Sequence, residues 1–346
     1  MGWLRVGVMI RQSLACVLLV ASAAPHAVSA QGRMRAIVLR EFGGPDVLRV
    51  EEVERPAPGP GELLVRVHAA AVNPVDAGIR AGRAAGLVGA RVPYTPGFDI
   101  SGVVAAVAPD VTGFGPGDEV FAMLDLRRGG GYAEYAIVKA SEVAHKPARA
   151  THVEAAALPL VALTGWQALF ETAALKPGET VLIHAGAGGV GSTAVQLARW
   201  KGARIIATAS APNHPFLREL GADVVIDYTT QRFEDVADSV DVVLDPVGGD
   251  TQVRSLAILR DGGRLVALAG LTPQARSAGR SPRIRTILVR PDSAQLRQIA
   301  DLVDAGLLRP VVTHTFPLER APGAHVQSET RHTRGKIVLR VVPESG

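Results

Sequence analysis

Hydrophobic and β-branched residues in the first half of the chain fall into short runs that turn residues separate. Residues 63–68 and 101–107 are runs of this kind, and such runs predict strands. Residues 56–61 and 113–118 contain too much proline and glycine to continue a regular element, so they predict turns. Up to about Leu158, the pattern therefore predicts a partly closed β-barrel.

From about Ala162 the pattern changes to alternating strands and helices. Apolar strands are predicted at 180–184, 204–209, 224–227, 240–244 and 264–268. Between the first two, residues 190–201 place Val190, Ala194, Leu197 and Ala198 on one face of a helix. Such alternation predicts an α/β fold with a doubly wound parallel sheet. A last strand, predicted at 335–341, resembles the strands of the first half, so we expect the C-terminus to complete the β-barrel domain.

The composition indicates how many domains the chain can form and what net charge it carries. With 346 residues, of which 47% are hydrophobic, the chain can fill roughly two domains of ordinary size. Its formal net charge is +4, and its basic residues are scattered rather than clustered, so we predict no nucleic-acid-binding surface. The single cysteine, Cys16, lies near the N-terminus.

Residues 1–30 have the pattern of a signal peptide. Arg5 and Arg11 precede an apolar stretch at 14–24, and Ala30 ends a small-x-small cleavage sequence. Because that stretch is too short to span a bilayer, we expect no stable membrane insertion and a periplasmic or secreted mature protein. Removal of residues 1–30 would remove Cys16 and leave no thiol that could form a disulfide, bind a metal or act as a nucleophile. The alternative is a start at Met34, which would make the protein cytoplasmic.

The sequence GAGGVG at 186–191 is a GxGxxG motif that follows a predicted strand and opens a predicted helix. In this context the motif is typical of a dinucleotide-binding loop. Gly186 would allow the tight turn, Gly188 would admit a pyrophosphate, and Gly191 would let helix and strand pack closely. The pyrophosphate would lie at the helix N-terminus, which favours anions. The predicted binding residues are Gly186, Gly188, Gly189, Val190 and Gly191; a plain strand–helix turn is the alternative.

The end of the next strand indicates which dinucleotide is bound. NAD-binding sites usually carry an acidic residue there, about twenty residues beyond the glycines, that holds the ribose hydroxyls. Here the strand ends at Ala209 and Ser210, and no carboxylate occurs before Glu219. A carboxylate would repel a 2′-phosphate, so its absence favours NADPH. The groups available to the phosphate are Ser210, Asn213, Arg218 and Tyr228, although Arg218 could equally be an ordinary surface residue.

Several motifs in chain order carry a family resemblance. They are AVNPVD at 71–76, PYTPGFDISG at 93–102, GGGYAEY at 129–135, GGVG at 188–191, LGAD at 220–223, DPVGG at 245–249 and GKIVL at 335–339. From Met34 to about Val342 the chain resembles the quinone oxidoreductase (zeta-crystallin-like) family of zinc-free medium-chain dehydrogenases/reductases. The resemblance implies a GroES-like substrate domain at 31–158, completed by 291–346, and a Rossmann dinucleotide-binding domain at 159–290.

The resemblance also implies roles for single residues. Asn73 and Thr164 would help to hold the nicotinamide end of the cofactor, and Asn73 would also border the substrate pocket. Tyr94 is a candidate wall of that pocket or a core residue, and Arg331 is a candidate anion contact. The residues implied to flank the nicotinamide and its ribose are Val247, Gly248, Gly249, Ala269 and Gly270.

Three departures from related enzymes affect the predicted chemistry. Zinc-dependent alcohol dehydrogenases of the superfamily use cysteine and histidine ligands in the first domain, whereas residues 71–76 and 97–99 contain neither, so we predict no metal. Relatives often have a bulky residue after the Asn-Pro-x-Asp motif, where this chain has Ala77 and Gly78, so we expect a wider pocket. A lysine that some relatives use for the 2′-phosphate is also missing near Asn213.

Together these features predict hydride transfer from NADPH to a quinone or an α,β-unsaturated carbonyl. Both acceptors take up electrons without a metal to polarise an alcohol, and no acid or base emerges, so water would supply the proton. The alternative is a cofactor-binding structural or sensor protein of the crystallin type with little turnover. The family resemblance implies a homodimer, and the apolar residues 287–290 are the predicted edge strand of its interface.

Overall fold

The structure is a computed structural model, and it describes residues 1–2, 32–277 and 284–342. The predicted signal peptide, apart from its first two residues, lies outside the described residues. All the helices and strands of the described residues belong to the unit that begins at Gly32. No helix in the described ranges combines the length and the apolar character needed to cross a membrane.

Strands dominate the described chain up to His145, and strands and helices largely alternate after it. The strands are β1 Arg33–Val38, β2 Arg49–Glu54, β3 Glu62–Val72, β4 Asp99–Val107, β5 Glu119–Met123, β6 Tyr135–Lys139, β7 Val143–His145, β8 Thr180–Ile183, β9 Arg204–Ala209, β10 Val224–Asp227, β11 Val240–Asp245, β12 Leu259–Ala267, β13 Ile284–Thr286, β14 Val312–Pro317 and β15 Lys336–Arg340. The helices are α1 Pro74–Arg80, α2 Ala85–Val88, α3 His152–Ala156, α4 Pro159–Trp166, α5 Gly189–Lys201, α6 His214–Leu220, α7 Gly249–Ala257, α8 Pro273–Ser277, α9 Ser293–Asp304 and α10 Ala321–Glu329.

Six of these strands form a parallel sheet in the order β10-β9-β8-β11-β12-β13. The chain leaves β8 towards one edge and then returns to β11 on its other side. The carboxyl ends of β8 and β11 therefore border a topological switch point, where doubly wound sheets bind their ligands. The predicted doubly wound sheet is confirmed, although β12 begins five residues before the predicted start at Arg264.

The edge of the parallel sheet differs from the prediction. β13 pairs with β12 in the register Leu265 to Ile284, whereas residues 287–290 form no strand, so the predicted edge strand was wrong. The reason lies in Gln167, whose Nε2 donates to Arg290 O at 2.9 Å and whose Oε1 accepts from Arg290 N at 3.1 Å. This side-chain amide takes the backbone N–H and carbonyl of Arg290, the last residue of the predicted strand.

A second, mainly antiparallel sheet runs in the order β14-β15-β3-β4-β5-β7, with β6 also paired to β3, and β1 and β2 form an antiparallel sheet of their own. β15 lies antiparallel to β3 with Val338 opposite Ala71, so the last strand joins the first half of the chain as expected. The mixed α/β fold, with a Rossmann sheet and a GroES-like sheet, is confirmed, and the strands form no closed barrel within the described ranges. The proposed domain boundaries stay a prediction.

Helix α5 fixes the position of the glycine loop. Its face with Ala194, Leu197 and Ala198 is fully buried, as predicted, while Val190 is half-buried at the helix start. Burial of a side chain the size of Leu197 stabilises the fold by about 1.5–3 kcal/mol. The helix ends at Lys201, and Gly202 follows it with a φ of 79°, the left-handed C-cap conformation that glycine favours.

Candidate functional site

A cavity of about 890 Å³ lies beyond the carboxyl ends of β8, β11 and β12. Its volume falls within the range of about 300–1,000 Å³ that small-molecule sites usually have. The predicted site residues in its lining are Asn73, Gly188, Gly189, Val190, Gly191, Tyr228, Val247, Ala269 and Arg331. The other predicted site residues lie outside the lining: Tyr94, Thr164, Gly186, Ser210, Asn213, Arg218, Gly248, Gly249 and Gly270.

The glycine loop turns at Ala185, which has a left-handed φ of 48° that few non-glycine residues adopt. Gly186, to which the sequence assigned the turn, has a different reason to be glycine. A Cβ at Gly186 would lie 3.0 Å from Ala207 Cβ and 3.2 Å from Leu217 Cδ1. A Cβ at Gly191 would collide with the carbonyl oxygen of Ala185. Both glycines therefore allow the loop to pack against its neighbours.

The first residues of α5 offer an anion site to the cavity. The N–H groups in the first turn of a helix have no acceptor within the helix, and the helix dipole favours negative charge there. A Cβ at Gly188 would meet only Ala185 O, at 3.4 Å, so a ligand can approach this backbone closely. Gly335 N donates to Ala187 O at 2.8 Å, which ties the segment before β15 to the loop. These features fit the pyrophosphate of a dinucleotide.

Polar side chains follow β9, where the adenosine ribose of a dinucleotide would lie. Asn213 Nδ2 donates to Ser210 Oγ at 3.2 Å, and Arg334 Nε donates to Asn213 Oδ1 at 2.8 Å. The Arg334 guanidinium also lies 5.1 Å from the ring centroid of Phe216, a cation–π distance. Tyr228 lines the cavity and is 53% exposed. Ser210, Asn213 and Tyr228 are predicted phosphate contacts, a role that stays a prediction, and Arg334 is not among the residues predicted from the sequence.

Two loops that follow β11 and β12 are joined by buried side chains. Asp245 Oδ1 accepts from the backbone N–H groups of Val247 and Gly248, each at 2.9 Å. Gln252 Nε2 donates to Gly270 O at 2.9 Å and to Asp245 Oδ2 at 3.3 Å. Both of these polar side chains are fully buried, whereas Val247 exposes about half of its surface to the cavity. The loops predicted to flank the nicotinamide are thus held as one unit.

Asn73 lies in a buried polar cluster at the start of α1. Its Nδ2 donates to Asp99 Oδ2 at 2.9 Å, and its Oδ1 accepts from Lys336 Nζ at 2.5 Å. Lys336 also donates to Val72 O at 2.8 Å, and Asp99 Oδ1 accepts from Leu160 N at 2.7 Å. Burial raises the pKa of Asp99 and lowers the pKa of Lys336, and the attraction between their charges opposes both shifts.

Asp76 lies beneath this cluster and outside the cavity lining. Its Oδ2 accepts from Asn73 N at 2.8 Å and its Oδ1 from Gly97 N at 3.0 Å. Complete burial raises the pKa of Asp76 to about 7, although these hydrogen bonds and the charge of Lys336 lower it.

Thr164, on α4, uses its hydroxyl to donate to Leu160 O at 2.6 Å.

Three predicted residues lie apart from these clusters. Arg218 is exposed on α6, and Arg331 lines the cavity from a backbone with a left-handed φ of 58°. Tyr94 is buried and forms a backbone bridge with Leu39, and its hydroxyl has no hydrogen-bond partner in the described part of the chain. It thus occupies a core position, and its predicted role at the substrate stays a prediction, as do the other single-residue roles.

Two family models and a solved structure match this chain. The family model of the alcohol dehydrogenase GroES-like domain matches residues 59–148, and that of the zinc-binding dehydrogenase matches residues 220–339. The quinone oxidoreductase from Coxiella burnetii superposes with a TM-score of 0.84 at 35% identity, over 90% of this chain and 100% of that chain. The chain belongs to the quinone oxidoreductase family of zinc-free medium-chain dehydrogenases/reductases.

Curated relatives of this family extend the similarity over most of the chain. The mitochondrial NAD(P)H oxidoreductase RTN4IP1 of Mus musculus is 34% identical, over 89% of this chain and 89% of its own length. The chloroplastic NADPH-dependent alkenal/one oxidoreductase of Arabidopsis thaliana is 35% identical, over 90% of this chain and 80% of its own length. The chain is therefore an oxidoreductase of a nicotinamide-dependent family.

The description of the second family model implies a zinc ion, which the side chains present do not fit. Within residues 32–277 and 284–342, no three His, Cys, Asp or Glu side chains come together in a way that could hold a metal. Beside Asn73 and Asp99 the structure has the ammonium group of Lys336. The cluster that faces the cavity thus already contains a cation of its own.

Five charged and amide side chains that hold the site together are not among the residues predicted from the sequence. They are Asp99, Asp245, Gln252, Arg334 and Lys336. A signal for three of them is present, since Asp99, Asp245 and Lys336 are charged residues inside or directly beside apolar strand runs. Charged residues are almost never fully buried unless they are paired, so such positions predict a buried partner. The sequence of the apolar strand alone does not identify which residue that partner is.

Proposed function

We propose that the protein transfers a hydride from NADPH to a quinone or to the β-carbon of an α,β-unsaturated carbonyl, without a metal. The observation that carries this proposal is the shared cavity, in which the glycine loop faces Asn73, Val247 and Ala269. A dinucleotide that lies along the loop would have its nicotinamide end among these three residues. Bound NADPH supplies the hydride, while the chain orients the reactants and excludes water.

The preference for NADPH is supported by the charges at the end of β9. Ala209 and Ser210 have no carboxylate that would repel a 2′-phosphate. Arg334, bonded to Asn213, adds a positive charge at this end of the site. A guanidinium is well suited to bind a phosphate group, because its N–H groups match the spacing of the phosphate oxygens.

The acceptor class is supported by the apolar wall of the cavity. Val72, Ala77, Leu160, Val161 and Val247 all contribute to the lining, which suits a planar, uncharged acceptor. The relatives named above include a quinone oxidoreductase and an alkenal/one oxidoreductase. We assign the proton that completes the reduction to water, because Asp76, the carboxyl group with the pKa raised to about 7, does not line the cavity.

Turnover with purified protein tests this proposal. NADPH oxidation would be followed under anaerobic conditions with 1,2-naphthoquinone and, separately, with 3-buten-2-one, and NADH would replace NADPH in parallel reactions. We expect oxidation with at least one acceptor and a higher kcat/KM with NADPH. Binding of NADPH without turnover of either acceptor would favour the alternative of a cofactor-binding structural or sensor protein. No binding of NADPH would overturn both.

We also propose that residues 1–30 act as an export signal and that the mature protein begins at Gln31 outside the cytoplasm. The charged start and the apolar stretch at 14–24 support this. N-terminal sequencing of the native protein tests it. A first residue at Met34 would instead make the protein cytoplasmic, where NADPH is plentiful.

A homodimer through the edge of the parallel sheet is a further part of the proposal. β13 is the outermost strand of that sheet in the described residues, and an unpaired strand edge can pair with a second copy. Light scattering tests this directly. A mass equal to that of one chain would contradict the dimer.

A further inference from the structure

Basic residues outnumber acidic ones in the lining of the cavity. In the part of the chain that the structure describes, the basic lining residues are Arg83, Arg254, Arg331 and Lys336, and the acidic one is Glu329. Arg254 forms an ion pair with Glu234 at 2.5 Å. Lys336 forms one with Asp99 at 3.5 Å. Carboxylates of the protein therefore balance two of the four basic side chains.

The other two basic residues, Arg83 and Arg331, are called the rim arginines below. Both are exposed, so they lie where the cavity opens to solvent. Within residues 32–277 and 284–342, neither guanidinium has an ion pair or a hydrogen bond. The left-handed φ of 58° at Arg331 is a backbone conformation that few residues other than glycine adopt, and such residues cluster at ligand sites. The rim arginines are thus free to bind an anion.

Glu329 does not balance the rim arginines, because a third arginine already binds it. Its Oε1 accepts from Arg80 Nη2 at 2.7 Å and its Oε2 from Arg80 Nη1 at 3.2 Å, and Arg80 is only 2% exposed. The hydrogen bond from Arg80 is the main reason that the pKa of Glu329 is lowered, and the charge of Arg83 lowers it further. Three positive charges and one negative charge leave a net charge of 3 − 1 = +2 here. A field of this sign attracts anions to the cavity.

The rim arginines lie at the end of the cavity where we propose that the acceptor binds. Arg83 follows α1, and Ala77 of that helix lines the cavity together with Asn73. The ion pair with Glu329 ties the end of α10 to α1, and Arg331 comes two residues later. An acceptor that reaches the nicotinamide beside Asn73 would therefore extend towards the rim arginines.

We propose that the rim arginines bind an anionic group, such as a carboxylate, that the acceptor carries at a distance from its reacting double bond. The phosphates of NADPH have other partners, since the first turn of α5 suits the pyrophosphate and Arg334 suits the 2′-phosphate. The reacting end of the acceptor stays planar and uncharged against the apolar wall. A guanidinium binds a carboxylate through two parallel N–H donors. This proposal rests on the proposed function, because it requires an acceptor in the cavity.

Kinetics with a matched pair of acceptors test the proposal. The pair is 6-oxo-7-octenoate and its methyl ester, which share a vinyl ketone and differ in charge at the far end. At saturating NADPH, we expect the wild-type protein to have a lower KM for the carboxylate and a similar kcat for both. The reason is that a contact remote from the reacting atoms stabilises ground state and transition state equally.

The variants Arg83→Gln and Arg331→Gln should each raise KM for the carboxylate about tenfold, since one hydrogen bond to a charged group is lost. KM for the ester and KM for NADPH should stay at their wild-type values. Arg331→Lys keeps the charge and should retain most of the preference for the carboxylate. Arg320→Gln is the control, because Arg320 is exposed at the other end of α10 and lies outside the cavity lining.

Two results would overturn the anion site and leave the proposed function intact. One is an equal KM of the wild type for the carboxylate and the ester. The other is a higher KM for NADPH in the rim variants with an unchanged ratio between the two acceptors, since the arginines would then bind a phosphate of the cofactor. Turnover of neither acceptor by the wild type would contradict the proposed function itself, and this proposal would fail with it.

Discussion

Arg334 Nε donates to Asn213 Oδ1 at 2.8 Å, although 121 positions separate the two residues in the sequence. The loop that follows β9 has no lysine or arginine between Ser210 and His214. Arg334 therefore brings a positive charge to this loop from the segment before β15. The pair connects the segment before β15 with the loop after β9, where a 2′-phosphate would lie.

The variant Arg334→Leu is expected to lose much of the preference for NADPH. A hydrogen bond to a charged group contributes about 1.5–3 kcal/mol, so kcat/KM for NADPH should fall about tenfold to a hundredfold while that for NADH changes little. Steady-state kinetics with both cofactors measure the ratio. Arg204→Leu is the matched control, because Arg204 is exposed at the opposite end of β9. A ratio of NADPH to NADH that stays at the wild-type value in Arg334→Leu would contradict this role.

The stability of the fold should depend on pH through His325. Burial and the nearby Arg80 lower the pKa of His325 to about 4 from an ordinary 6.5, while Glu329 raises it. The unfolded chain therefore binds a proton that the folded protein does not, so the stabilisation is complete above pH 6.5 and is lost as the pH falls towards about 4. Relative to His325→Gln, the free energy of unfolding of the wild type should fall by up to about 1.4 kcal/mol per pH unit in this window.

Urea denaturation of both proteins at several pH values measures this difference. Asp76 has a raised pKa, which favours the folded state at lower pH, but it is present in both proteins and its effect largely cancels. A difference between wild type and variant that does not change with pH, or that grows on acidification, would show that His325 does not titrate as described.

Gln252 should be needed for both stability and cofactor binding. In Gln252→Leu, the fully buried Asp245 Oδ2 loses a hydrogen-bond partner, which costs about 1–3 kcal/mol, and Gly270 O and Thr272 N lose the side chain that joins them. The melting temperature should fall, and KM for NADPH should rise, because the loops around Val247 and Ala269 are no longer held together. Gln274→Leu is the control, since Gln274 is exposed on α8. A destabilised variant with an unchanged KM would show that the loops do not contact the cofactor.

Local patterns were sufficient to predict the elements that carry the glycine loop. β8, α5 and β9 each have a clear apolar run or apolar face, so their positions are correct to within about one residue. The function of a single loop residue was harder to assign. The left-handed turn falls at Ala185, which no rule for glycine would select, and Gly186 is needed for its contact with Ala207.

Long-range pairs within the site could not be predicted from the sequence. The contact between Lys336 and Asn73 spans 263 positions and exists because β15 lies against β3. The predicted edge strand at 287–290 failed for a similar reason, since the distant side chain of Gln167 satisfies the backbone of Arg290. In each case the partner is set by the sheet order, which local propensity does not determine.

Transfer of deuterium from NADPH labelled at C4 tests the proposed hydride transfer at the level of the transferred atom. The labelled cofactor, prepared as each of its two C4 epimers, would be mixed with the protein and 3-buten-2-one, and the ketone product would be analysed by mass spectrometry. We predict a saturated ketone with one deuterium at the β-carbon, from one of the two epimers, formed faster with NADPH than with equally labelled NADH. Oxidation of the cofactor without label in the product, or no saturated ketone with either cofactor, would contradict hydride transfer to this class of acceptor.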